Sequence, residues 1–184
     1  MNADTRPIML NLWAPPGVGK SATAAMVFNV LKYEGHRAEL SLEFAKDVTY
    51  ERSWKTLKDQ FYVAAQQEHR NHRLIGEVDI IVTDSPPGMG LVYCPLEDVD
   101  MLRDCVMHWR CRYRNVDWLL LRDEERVYQR FGRTQTLEES DALYPQVIRH
   151  LSRVAPTYKQ TRADKLAAVH IADHLMRRIQ RGHI

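Results

Sequence analysis

Residues 14–21 read Ala14-Pro15-Pro16-Gly17-Val18-Gly19-Lys20-Ser21. The octet fits the phosphate-loop pattern: Ala or Gly, four free positions, then Gly-Lys and a hydroxyl residue. Its flanks agree with that reading. Ile8-Met9-Leu10-Asn11-Leu12-Trp13 before it is the run of a buried strand, and the segment from Ser21 to Lys32 after it has helical character. Gly17 and Gly19 allow backbone N–H groups to turn inward on phosphate oxygens. A helix beginning near Lys20 directs its positive dipole end at the same anion. In this pattern Lys20 reaches the β- and γ-phosphates and the Ser21 hydroxyl binds Mg²⁺. The stretch from Ala14 to Ala22, including Pro15, Pro16 and Val18, is thus the candidate cradle for ATP with Mg²⁺. The competing reading, an ordinary Gly/Pro turn before a helix, leaves the agreement of strand, loop, Lys-Ser and helix unexplained.

Working outward, strand and helix signals alternate. A strand over Ile8–Trp13 leads to a helix over Lys20–Tyr33, with Gly35 as its stop. Residues 37–43 alternate Ala38, Leu40, Leu42 against Glu39, Ser41, Glu43 and predict a second strand. Ser53 is placed to cap one long helix reaching about Arg73, with Trp54, Leu57, Phe61, Ala64 and Ala65 on its apolar face. Val78–Thr83 has the continuous apolar character of a buried parallel strand. Ser85–Leu96, with three prolines and two glycines, reads as loop. A third helix runs from Glu97 or Asp98 to about Arg114, and Val116–Leu121 is the fourth strand. Thr136-Leu137-Glu138-Glu139 matches a capping box, and Pro145 kinks or divides the helix that follows. Ala167–Ile171 is read as a short fifth strand and Asp173–Arg181 as a closing helix. The alternation predicts one α/β domain: a three-layer αβα sandwich around a five-stranded parallel sheet, with a lid near residues 122–135.

The chain of 184 residues has a net charge of +2, which does not by itself mark a nucleic-acid binder. Its distribution is less even. Arg153, Lys159, Arg162, Lys165, Arg177, Arg178 and Arg181 oppose only Asp164 and Asp173 between residues 150 and 184, so a DNA backbone contact there competes with a solvated helix face. No run of 18 apolar residues predicts a membrane span, and the N-terminal composition does not suggest a signal peptide. Cys94, Cys105 and Cys111 contain no C-x-x-C pair and read as reduced thiols of a cytoplasmic protein. Cys105, His108 and Cys111 lack an evident fourth ligand for a metal.

Three features fall at the carboxyl ends of expected strands, where ligands of an open parallel sheet sit. Asp84 closes Val78-Asp79-Ile80-Ile81-Val82-Thr83-Asp84 and is a candidate Mg²⁺ residue or base. Glu43 is a candidate acceptor of the proton of an attacking hydroxyl; Lys46 and Asp47 adjoin it. Arg122, Arg126, Arg130 and Arg133 form a candidate lid that stabilises charge on the transferring phosphate. Arg126 and Arg130 share a face if that segment is helical. Tyr93 and Trp54 are aromatic candidates for an acceptor wall, Trp54 being the better candidate for the core. His69 and His72 read as a solvated helix face.

Together, Ala14–Ser21, Ser41–Asp47, Val78–Ser85 and the Arg126–Arg133 segment resemble the small P-loop kinases, including thymidylate and nucleoside kinases and the NadR-like set of phage-encoded kinase or ATPase domains. The resemblance spans nearly the whole chain. It implies ATP, Mg²⁺ and phosphorylation of a hydroxyl or phosphate, with Gly17, Gly19, Lys20 and Ser21 on the triphosphate, Asp84 on metal or acceptor, Glu43 on the acceptor side and Arg126, Arg130 and Arg133 in the lid. Some phage members of the group phosphorylate 5-hydroxymethyluracil within DNA, and this chain is compatible with them; the host cytoplasm would then be its location. Ser85-Pro86 follows Asp84, where nucleotide kinases carry an arginine for the acceptor phosphate. A free nucleoside or nucleotide kinase, or a regulatory ATPase without an acceptor, are the alternatives. The absence of N-K-x-D argues against a GTPase, and the length leaves no room for the helical lid domain of a AAA+ motor.

Overall fold

A computed structural model describes residues 5–129, 131 and 134–182. Five strands form one sheet: β1 (Ile8–Trp13), β2 (Ala38–Ser41), β3 (Ile80–Thr83), β4 (Arg114–Leu121) and β5 (Lys159–Arg162). Their order is β2-β3-β1-β4-β5 and every pairing is parallel. The chain crosses to one side of β1 and then to the other. The reversal lies beside the carboxyl end of β1, where a doubly wound sheet opens a crevice.

Alternation along β1 builds the two cores. Ile8, Leu10 and Leu12 face α1 (Lys20–Tyr33) and α8 (Ala167–Gln180), packing with Val27, Leu31, Ile171 and Leu175. Trp13 belongs to the opposite core, with Leu102, Val106, Val147 and Leu151 of α5 (Val99–Arg110) and α7 (Tyr144–Val154). Each such apolar side chain taken fully from water stabilises the fold by about 1.5–3 kcal/mol. The Trp13 indole N–H donates to Asp117 Oδ1 at 2.8 Å, and Arg110 pairs bidentately with the same carboxylate at 3.1 and 2.7 Å. Both charged partners are buried. Removing either would strand the other, a loss of about 3–5 kcal/mol. The network fixes the residue immediately before Ala14. Gly88, in the 3₁₀ segment Pro87–Val92, lies so close to the Trp13 ring that a Cβ there would sit 2.5 Å from it.

Several boundaries differ from the sequence reading. β2 ends at Ser41, and Glu43 becomes the N-cap residue of a short helix, α2 (Phe44–Tyr50). Only Val48 of α2 is buried, so no periodicity announced it. The long helix expected from Ser53 is two: α3 (Trp54–Lys58) and α4 (Gln60–His72), divided at Asp59, whose carboxylate accepts from Tyr62 N at 3.0 Å. The third helix ends at Arg110 and β4 begins earlier, at Arg114. Pro145 lies in the first turn of α7 and separates it from α6 (Leu137–Ala142), in keeping with the expected division. The fifth strand was misplaced. Ala167–Ile171 opens α8, with Ala167, Ala168, Ile171, Ala172 and Leu175 on one buried helical face. The strand is Lys159–Arg162, a polar edge strand with a largely exposed backbone neighbourhood. Among the described residues no helix is long and apolar enough to cross a membrane.

Candidate active site

The octet forms the turn between β1 and α1. Gly17 has φ +76° and Gly19 φ +128°, conformations that side chains resist, and α1 starts at Lys20 without an acidic residue in its first turn to offset its dipole. Pro16, Gly17, Gly19, Lys20, Ser21 and Ala22 line a cleft of about 630 Å³. Ala14, Pro15 and Val18 are buried instead, Ala14 and Val18 within the α1/α8 core, so their part in any ligand contact is limited to backbone. The Lys20 ammonium donates to Ala14 O at 2.7 Å and Pro15 O at 3.1 Å. It therefore spans the loop from inside.

The outer wall is built from the far end of the chain. The capping box of α6 is formed: Glu139 N donates to Thr136 Oγ1 at 3.2 Å and Thr136 N to Glu139 Oε2 at 2.7 Å. That turn sets Ser140, fully buried, against the loop, where its hydroxyl donates to Pro16 O at 2.6 Å. Arg122 donates to Ser140 Oγ at 2.9 Å and to Asp141 Oδ1 at 2.7 Å, and lies over the Tyr128 ring at 5.4 Å. Arg122 thus holds the wall and is not a lid arginine directed at phosphate, a correction to the sequence reading. Residues 123–129 are turns and irregular chain, so Arg126 does not lie on a helix. The Tyr128 ring rests on Gly17 and the Arg126 guanidinium on Gly19; a Cβ at either glycine would collide with them. Arg126 lines the cleft. Arg130 and Arg133 lie outside the described residues.

Glu43 lines the same cleft. Buried Gln67 of α4 grips the chain on both sides of it: Gln67 Nε2 donates to Leu42 O at 3.3 Å, and Phe44 N donates to Gln67 Oε1 at 2.8 Å. Ser41, one bond earlier, donates to Asn71 Oδ1 at 2.6 Å. These contacts were invisible in sequence, since Gln67 and Asn71 carry no motif. Tyr93 also lines the cleft. It keeps 40% of its surface, yet its phenol is pushed well above the ordinary tyrosine range, first by burial, then by the charges of Glu43 and Tyr128. It therefore remains a hydrogen-bond donor.

Asp84 follows β3, whose Thr83 pairs in register with Asn11 of β1. It is 1% exposed, and its Oδ1 has no hydrogen-bond partner among the described residues. A buried carboxylate oxygen without a donor carries a desolvation penalty of several kcal/mol, which a hydrated cation beside the loop would relieve. The donor set of Asp84 and Ser21, both oxygen, fits Mg²⁺, which keeps waters and phosphates as its other ligands. Asp84 itself is not on the cleft lining.

Other candidates fall elsewhere. Trp54 is 47% exposed and neither in the core nor on the cleft, contrary to expectation. His69 and His72 are exposed, and among the described residues no group of three His, Cys, Asp or Glu is poised for a metal. The C-terminal basic residues are divided among α7, β5, the turn before α8 that holds Lys165, and α8 with its cap Arg181, and none lines the cleft; Arg177 pairs with Asp173. His174, Arg177, Arg178 and Arg181 surround a separate hollow of about 360 Å³. A buried carboxylate that the sequence did not reveal, Glu68, accepts from Tyr113 Oη at 2.9 Å and from Arg112 at 3.0 Å.

No family model matches the chain, and no curated protein matches it by sequence. Among solved structures it is similar to the NadR protein in complex with NR, with a TM-score of 0.69 at 15% sequence identity. The similarity covers 92% of this chain and 50% of that one, so the chain spans about half the length of its neighbour. NadR is one of 110 solved chains that match, and a fold shared so widely does not select an acceptor. At this identity the likeness is one of fold: an α/β domain with a five-stranded parallel sheet.

Proposed function

We propose that the protein is an ATP-dependent phosphotransferase acting on a hydroxyl of a nucleoside-type acceptor. The observation that supports this most is one cleft lined both by the phosphate loop and by Glu43. Loop amides, Lys20 and the α1 N-terminus hold the triphosphate and take up charge on the β- and γ-phosphates. Mg²⁺, held through Ser21 and Asp84, would neutralise phosphate charge. The acceptor oxygen bonds to the γ-phosphorus as the bond to the β–γ bridging oxygen breaks, ADP leaves, and the hydroxyl proton passes to Glu43. The transition state is loose, so Glu43 acts chiefly by orienting the hydroxyl. Arg126, with Arg130 and Arg133 of the same segment, stabilises charge on the transferring group.

Within this class the reading we favour is 5-hydroxymethyluracil in phage DNA, a primary-alcohol acceptor in a polymer. It is supported by Ser85-Pro86 in place of an arginine after Asp84. Incubation with γ-³²P-ATP and three acceptors, hydroxymethyluracil DNA, thymidine and deoxyuridine monophosphate, tests it. Label on the DNA alone supports the specific reading; label on a small acceptor replaces it with a nucleoside or nucleotide kinase. Phosphate release without transfer supports a regulatory ATPase.

A further inference from the structure

We infer that the acceptor carries a phosphate group near its reactive hydroxyl and that Lys46 and Lys58 recognise it. The inference rests on the kinase reading and names the substrate class within it. Besides the phosphate loop, the cleft is lined by Glu43, Lys46, Thr49, Lys58, Gln60 and Tyr93. Lys46 is half-buried, three residues beyond Glu43 on α2; Lys58 ends α3. No ion pair engages either ammonium among the described residues. The carboxylates next to them in sequence are committed elsewhere. Asp47 pairs with Arg70, and Asp59 caps α4 through Tyr62 N. Half-buried Lys46 and exposed Lys58 therefore share the cleft with Glu43 and with Lys20 of the loop.

A neutral nucleoside needs Glu43 for its hydroxyl and a wall for its base; it gives two ammoniums no partner. A phosphate does, and lysine binds phosphate as a mobile point charge without demanding planar geometry. The γ-phosphate of ATP already has the loop amides and Lys20. The recognised group is either the terminal phosphate of a free nucleotide or a phosphodiester in a strand, and the two sources separate experimentally.

The experiment compares thymidine and 5-hydroxymethyldeoxyuridine, their 5′-monophosphates, and trinucleotides that contain either base and lack terminal phosphates. Binding is measured by equilibrium dialysis on the Mg-ADP enzyme, and transfer from γ-³²P-ATP. Phosphate-bearing acceptors should bind about 10-fold or more tightly than the nucleosides, and K46A/K58A should erase that preference through KM with little change in kcat. Preference for the monophosphates identifies a free nucleotide, and preference for the trinucleotides a strand. Equal binding of nucleoside and phosphorylated forms, or no binding of any of them, overturns the inference. A rise in the KM for ATP with unchanged acceptor preference overturns it too, by assigning the lysines to ATP. If the binding preference holds and depends on the two lysines but no label moves, their phosphate site stands and the kinase reading fails.

Discussion

The Ser140 hydroxyl donates to the Pro16 carbonyl at 2.6 Å, across 124 residues of chain. The same oxygen accepts from Arg122, so the outer edge of the phosphate loop hangs on α6 through one buried hydroxyl. A loop with two glycines at positive φ has little stiffness of its own. Ser140→Ala should therefore raise the KM for ATP about 10-fold and lower stability by about 1–3 kcal/mol, the penalty for a buried acceptor left unmade. Steady-state kinetics with thermal unfolding checks it; an unchanged KM would reduce Ser140 to a packing residue.

Lys20→Ala should abolish transfer while the far-UV spectrum stays that of the wild type. Its ammonium bonds the Ala14 and Pro15 carbonyls of the loop itself. Surviving activity would remove the phosphate-loop assignment.

Glu43 and Gln67 separate chemistry from positioning. Glu43→Gln should lower kcat about 10²-fold. Gln67→Leu keeps volume but releases Leu42 and Phe44, so kcat should fall by a smaller factor, with the KM for ATP unaffected. Equal loss in both variants, accompanied by a collapse in melting temperature, would mean that Gln67 merely supports the fold.

Glu68 predicts a pH dependence of stability. Burial raises its pKa from 4.5 to about 7, opposed by Tyr113 and Arg112. The native state then binds more protons than the unfolded chain between these values, so stability falls as pH rises through that window. The full effect is about 3 kcal/mol. Two histidines with lowered values, His150 and His174, give the opposite slope near pH 6.5. The difference between wild type and Glu68→Gln in denaturant midpoint from pH 5 to 8 isolates the carboxylate. It should change from pH 5 to about 7 and level off above that; parallel curves throughout would show that Glu68 is already ionised in the native protein at pH 5.

The phosphate loop was legible because its chemistry requires particular residues in sequence: two glycines for backbone reversal, a lysine, a hydroxyl. The capping box at Thr136 was legible for the same local reason. Asp84 follows β3 directly, as its place in the sequence suggests, whereas Glu43 caps α2 two residues beyond the end of β2. What escaped was held by long-range contact. Ser140 looks like an ordinary helical serine until Pro16 is placed against it, and Gln67 has no significance without the bend between β2 and α2. Lys159–Arg162 hid as a strand because an edge strand with polar residues on both faces has no apolar period, and its pairing with β4 supplies what its sequence does not. Arg122 was misjudged through its neighbours: a segment rich in arginine gave no sign that one of them was bound to Asp141.

The most direct measurement is the fate of the γ-phosphate. With γ-³²P-ATP, Mg²⁺ and the acceptor panel, the wild type should move label onto an organic acceptor, and both Lys20→Ala and Glu43→Gln should suppress that transfer. Label found only as inorganic phosphate with every acceptor, at a rate unaffected by Glu43→Gln, would contradict the account.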